Sequence, residues 1–324
     1  MKKFLFIMMT FLAVLTLASC GSGSKYYFAV EETNPDSDWV YWVTVEKKGK
    51  KIVDVKWNAF NVAGDSDEKF KGMDKYQASV EGLYDMHAFE QDRDGKLWWH
   101  EQADLLIDKL IETQDVNDRI PVPTGATITN DNFYELVEKA LASDPVKKGK
   151  YKNGYHFVTL KNDAVTGNVK EFYDPGKEEI VSTGEYKSHT FGSIVVLNGS
   201  IVYAYYNNVF YGYRLQLAPN GFPTSIKLPE DAPEAEQKSY QITVPNATLI
   251  KTKNQLGKSY TMGAIMNTME YDEQAKNAGI YLVEHQGFPE LVKNDNDYLI
   301  IDGYTGCTID ADDFREIWLK LPKN

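Results

Sequence analysis

Tyr, Trp, Val and Ile alternate with polar residues over 26–32, 38–47 and 51–58, a period of two that predicts three half-buried strands. Lys48-Gly49-Lys50 supplies a hairpin turn between the last two. Over 99–113 the period lengthens, and Ala103, Leu106, Ile107, Leu110 and Ile111 share one face of a predicted helix. A second helix is predicted over 131–142, with Phe133, Leu136, Val137, Ala140 and Leu141 at i, i+3, i+4, i+7 and i+8. In "SDPVKKGKYKNG" (143–154) charge and glycine replace periodicity, which marks a boundary. Residues 155–228 return to aromatic, strand-like alternation, and "PEDAPEAEQ" (229–237) reads as an acidic, proline-containing inserted loop. Phe314, Ile317, Trp318 and Leu321 predict a closing helix. Strands first and helices after imply an α+β fold, a twisted, mostly antiparallel sheet with helices packed on it.

The pattern occurs twice. Thr124-Gly125-Ala126-Thr127-Ile128 returns as Thr305-Gly306-Cys307-Thr308-Ile309, and 124–139 agrees with 305–320 at eight of sixteen positions. Chance gives about one match in sixteen to twenty. "EQADLLIDKLIETQ" (101–114) shares six of fourteen residues with "EQAKNAGIYLVEHQ" (273–286). Upstream, "KKIVDVKWNAF" and "GSIVYAYYNNVF" read as the same strand. Two tandem copies of one domain are therefore expected, at 26–145 and 150–324, the second carrying an insertion.

Lys2 and Lys3, an apolar run from Phe4 to Leu17 and then Leu17-Ala18-Ser19-Cys20 describe an export signal. The cysteine after small residues resembles a bacterial lipobox. The expected organisation is a signal peptide at 1–19, lipidated Cys20, and a tether at 20–25. Such a protein would sit outside the cytoplasm, anchored to a bacterial membrane by lipid. Without residues 1–19 the chain has 33 basic and 47 acidic side chains, net −14, so its body is not expected to hold nucleic acid. With Cys20 carrying lipid, Cys307 is left without a partner cysteine, so stability is expected from core burial.

The two Thr-Gly-small-Thr turns each run into a predicted helix. Thr129 or Asn130 can cap the first such helix. A phosphate on the Thr127 hydroxyl would then lie against free helical amides, and Gly125 with Ala126 would allow close approach. A turn plus cap, with no ligand, is the plainer reading of the same residues. "TGATITNDNFYELVEKAL", following a sheet and a first helix, resembles the C-terminal part of the FMN-binding domain family. That family includes flavin-bearing subunits of sodium-translocating and Rnf-type respiratory complexes and exported lipoproteins with two such domains. In it a Ser/Thr-Gly-Ala-Thr motif carries FMN through a phosphoester on its last threonine, attached by a flavin transferase. The resemblance implies cofactor-binding roles for Thr124, Gly125, Ala126 and Thr127, and for Asp302, Thr305, Gly306, Cys307 and Thr308, with FMN on Thr127, Thr308 or both. Family members commonly carry an acid three residues before the motif. Asp302 fills that place in the second copy, whereas Pro121 stands there in the first, and Cys307 replaces the usual alanine.

The function implied is an electron carrier rather than a catalyst with a substrate pocket, working with redox partners in or outside the membrane. The alternative is a surface binding or structural lipoprotein with degenerate flavin sites, stabilised by calcium. "EQDRDGKLWWHE" (Glu90 to Glu101) has EF-hand spacing, with Glu90 in place of the usual first Asp. His100, Glu101 and Asp104 share a helix face, yet the repeat (Asp272, Glu273, Lys276) keeps only the glutamate, and no metal ligand is assigned.

Overall fold

The computed structural model describes residues 23–34, 37–84, 97–119, 130–168, 172–174, 179–181, 185–214 and 248–324. Strands β1 (Ser24–Val30), β2 (Trp39–Lys48) and β3 (Lys51–Asn61) form an antiparallel sheet in that order. The β2–β3 hairpin turns on Gly49 and Lys50, with Gly49 at φ +63°, a conformation that costs glycine little. Helix α1 (Lys75–Val80) follows, then α2 (Trp99–Thr113) and α3 (Asp131–Leu141). Val43, Val45, Val55 and Trp57 of the sheet bury against Leu106, Leu110, Phe133, Leu136 and Val137, the apolar stripes that the helical period marks.

The second half is built on four antiparallel strands, β4 (Gly154–Thr159), β5 (Thr190–Leu197), β6 (Ser200–Arg214) and β7 (Thr248–Thr252), in the order β7-β6-β5-β4. Helices α4 (Tyr271–His285) and α5 (Asp312–Leu319) pack on it around Ile194, Tyr206, Ala278, Leu282, Phe314 and Ile317. Gly279 lets α4 approach β6, because a Cβ there would stand 2.2 Å from the Ala204 carbonyl oxygen. Between β4 and β5 lie two small hairpins, 165–168 with 185–188 and 172–174 with 179–181. The architecture is α+β with antiparallel sheets. The predicted loop at 229–237 lies outside the described residues.

The two sheets meet through Val40, Trp42 and Phe60 on one side and Phe191, Val195, Tyr205 and Val209 on the other. The Asn207 amide and Tyr205 hydroxyl donate to the Val62 carbonyl at 3.0 and 3.3 Å. Buried Asp65 bonds His189 Nε2 at 2.8 Å and pairs with Lys161 at 3.2 Å.

Several local devices occur once in each half. Asn58 Oδ1 accepts from Ala59 N (2.8 Å) and Tyr76 N (2.9 Å), while Asn207 Oδ1 accepts from Asn208 N (2.8 Å) and Asn254 N (3.1 Å). Glu101 accepts from Trp98 N at 2.7 Å, and Glu273 from Glu270 N at 3.0 Å, capping α2 and α4. The boundary segment 143–154 joins the halves through Val146 N to Tyr26 O (2.7 Å) and Gly149 N to Asn198 O (2.9 Å).

Candidate functional site

The second Thr-Gly turn, from Asp302 to Ala311, is held against α4. Tyr304 donates its hydroxyl to the Asn277 carbonyl at 3.1 Å, and the Asn277 amide donates to Gly306 O at 2.8 Å. The Tyr304 ring closes over Gly306, where a Cβ would come within 2.8 Å of it. Cys307 turns inward into the hydrophobic core, so its extra bulk over alanine is absorbed there. Burial pushes its thiol up to about 12, which keeps it protonated and unreactive at neutral pH. Thr308 turns outward and is exposed, as are Asp302 and Thr305.

Gln274 is the centre of the arrangement. Fully buried on α4, it anchors its amide by donating to Met269 O at 3.0 Å. Its Oε1 accepts from Thr308 N at 2.7 Å, Ile309 N at 3.1 Å and Thr308 Oγ1 at 3.1 Å. Thr268 Oγ1 lies 3.5 Å from Thr308 Oγ1. Sequence reading passes over this glutamine, although it stands in the Glu-Gln-Ala that occurs at 101–103 and again at 273–275. The counterpart Gln102 is also fully buried and donates to Leu97 O at 2.7 Å.

Thr124, Gly125, Ala126 and Thr127 lie outside the described residues, as do Cys20, Pro121 and most of the Glu90–Glu101 loop. Of the two capping candidates for α3, Thr129 lies outside the described residues, and Asn130 is the N-cap, in helical conformation and with no side-chain bond to the helix amides. At α5 the N-cap is Ala311, and Asp310 Oδ1 accepts from Asp312 N at 3.1 Å. The two helix starts differ in charge: α5 opens on Asp310, Asp312 and Asp313, whereas Asp131 of α3 is paired with Arg119 at 3.0 Å. His100, Glu101 and Asp104 have separate partners, namely Ser79 Oγ at 2.9 Å, the α2 cap, and the Tyr76 hydroxyl at 3.0 Å. Among the described residues no group of three His, Cys, Asp or Glu side chains could hold a metal.

Each half also sets a lysine among aromatic rings, Lys75 buried and Lys253 half-buried. Lys75 Nζ donates to the Tyr41 hydroxyl and lies 4.3 to 5.5 Å from the ring centres of Tyr84, Tyr41, Trp39 and Trp99. Lys253 Nζ lies 4.7 Å from Tyr271, 5.1 Å from Tyr260 and 5.8 Å from Phe210. Trp99 and Tyr271 are the first residues of α2 and α4. Burial brings Lys75 down to about 7 and Lys253 to about 8, opposed in part by Glu31 and Asp313 respectively. A cleft of about 840 Å³ lies between the halves, on the other side of α4 from the turn, reached by Asp272, Lys276, Ile280 and, across it, Val30 and Tyr203.

No family model matches this chain, and no curated protein does. A solution NMR structure from Clostridium thermocellum, a Northeast Structural Genomics Consortium target, is 34% identical, covering 37% of this chain and 88% of that one, with a TM-score of 0.24. Among the described residues no helix is long and apolar enough to cross a membrane.

Proposed function

We propose that this chain is an extracytoplasmic flavoprotein, anchored by lipid on Cys20, that carries FMN as a phosphoester on Thr308, Thr127 or both and relays electrons. The observation that carries the reading is the Thr308 hydroxyl, exposed on a turn whose neighbours Gln274 and Cys307 are fully buried. A hydroxyl so presented fits esterification: it is accessible to a flavin transferase, and its backbone is fixed by Gln274. Bound FMN supplies one- and two-electron chemistry; the chain's part is to hold it and present it to redox partners at the membrane or beyond. Cys307, buried and protonated, offers no competing nucleophile. The recurrence of the Asn58/Asn207 and Gln102/Gln274 bonding supports reading the chain as two copies of one flavin-carrying domain.

Protein produced with a flavin transferase should gain the mass of esterified FMN and keep its yellow colour after denaturation. Thr127→Ala and Thr308→Ala should each remove what their site carries. Colourless wild-type protein with no added mass overturns the proposal, and colour released by denaturation overturns the covalent link. The cleft between the halves favours a second reading, a binding lipoprotein. That reading expects colourless protein.

A further inference from the structure

We propose that Gln274 is the positioning residue that makes Thr308 the phosphoester acceptor. The inference rests on the covalent-FMN reading and adds to it the side chain that selects the hydroxyl.

Three threonine hydroxyls lie in or beside the turn, those of Thr268, Thr305 and Thr308; the Tyr304 hydroxyl is taken up by the Asn277 carbonyl. Only the Thr308 backbone and hydroxyl converge on one buried oxygen, Gln274 Oε1, which accepts both its donors and the next amide. The oxygen has two lone pairs, which the three donors share. The Thr308 hydroxyl donates inward to Gln274, which leaves its oxygen's lone pairs to Thr268 and to the exposed side, from which an incoming phosphorus must approach. Gln274 is itself fixed through its bond to Met269 O. Thr268, 3.5 Å from the Thr308 hydroxyl, is half-buried and has no bond to Gln274 of this kind.

The step balances without redox change. Thr308 Oγ bonds to the phosphorus of an activated FMN donor, a phosphoanhydride; the anhydride P–O bond breaks and the leaving phosphate takes the electron pair. As the bond forms the hydroxyl proton turns away from Gln274 Oε1, which orients but does not keep it, to a base of the transferase on the exposed side. Afterwards Oε1 still holds the amides of Thr308 and Ile309, so the esterified turn keeps its shape. A neutral amide suits this task, because a carboxylate at the same place would repel the phosphate.

The test is site-resolved labelling of the full chain with the transferase, read by mass on the peptides holding Thr127 and Thr308. In Gln274→Ala, the rate at Thr308 should fall at least tenfold while Thr127 in the same molecules labels normally. Gln274→Glu retains an acceptor oxygen for the turn's amides but gives up the Met269 bond and buries a carboxylate; it should lower the melting temperature, yet slow labelling at Thr308 alone while Thr127 labels normally. Normal labelling of Thr308 in both Gln274 variants overturns the assignment and leaves the flavin reading standing, as does wild-type label confined to Thr127. Loss at both sites in step with the melting temperature also overturns it, in favour of a structural role. No label on wild-type protein overturns both proposals together.

Discussion

Gln114 and Ile52 are joined by a closed pair of hydrogen bonds: Ile52 N donates to Gln114 Oε1 at 2.7 Å, and Gln114 Nε2 donates to Ile52 O at 2.9 Å. Gln286 does the same to Ile201, at 2.8 and 2.9 Å. Each glutamine ends its long helix in the left-handed region, at φ 61° and 57°. Each partner strand has a register shift beside the isoleucine, so the glutamine supplies bonds where the ladder slips.

The side chain, rather than the backbone conformation, should therefore decide stability here. Gln114→Ala is expected to lower unfolding free energy by about 1–3 kcal/mol, the cost of leaving buried backbone groups unpaired. Gln114→Asn tolerates the left-handed region better but reaches one methylene less far, and should not rescue. Urea midpoints measure both. An Asn variant as stable as wild type would show that the bonds matter less than the turn.

Asp65 ties the halves together, and its contribution depends on pH. Burial alone would raise its pKa, but the His189 hydrogen bond and charge, with Thr159 and Lys161, reverse that and hold it below the usual value. A carboxylate lowered on folding contributes stability above its unfolded pKa, near 4, and loses it as pH falls through the folded value. Asp65→Asn is expected to cost about 3 kcal/mol at pH 7, as for breaking a buried pair. The gap from wild type should shrink steadily below pH 4 in denaturant titrations. A gap constant with pH would count against the ion pair.

Lys75 acts in the opposite direction. Its folded value of about 7 lies below the ordinary 10.5, because burial among four rings outweighs the attraction of Glu31. Between those two values the unfolded chain binds the extra proton, so this group makes stability rise with pH, by at most about 1.4 kcal/mol per unit. Lys75→Met should flatten the stability profile between pH 7 and 10 and be the more stable protein at pH 7. Comparing urea midpoints at pH 7 and 9.5 checks this; an unchanged slope would place the effect elsewhere.

What was legible in the sequence follows from which residues obey a period. Strands β1 to β3 and helices α2, α3 and α5 are visible because Val43, Leu106, Phe133 and Phe314 bury one face at regular spacing. The hairpins at 165–168 and 172–174 are too short to show a period, and only pairing defines them. Buried Gln274 and Lys75 are invisible for another reason: both residue types normally face water, and tertiary partners alone bring them inside. Only the repeated Glu-Gln-Ala pointed toward Gln274. For Thr308 the motif located the exposed hydroxyl but not the oxygen that orients it.

The acids at the start of α5 predict that the two turns accept a phosphate unequally. Asp310, Asp312 and Asp313 crowd the second helix start, while the first has Thr129, Asp131 and Asn132 at corresponding places, with Arg119 on Asp131. A phosphate approaching Thr308 therefore meets more negative charge, which offsets the helix's attraction for anions. Labelling should be several-fold faster at Thr127 than at Thr308. Asp310→Thr, which installs the residue found at the aligned position 129, should narrow the difference, since threonine can still cap. Because these carboxylates lie at the surface, added salt should narrow it as well. Peptide-resolved initial rates at 20 and 500 mM salt (roughly 20 Å and 4 Å of screening length) decide the matter. Equal rates at low salt, or a difference indifferent to Asp310→Thr, would remove charge as the reason the two turns diverge.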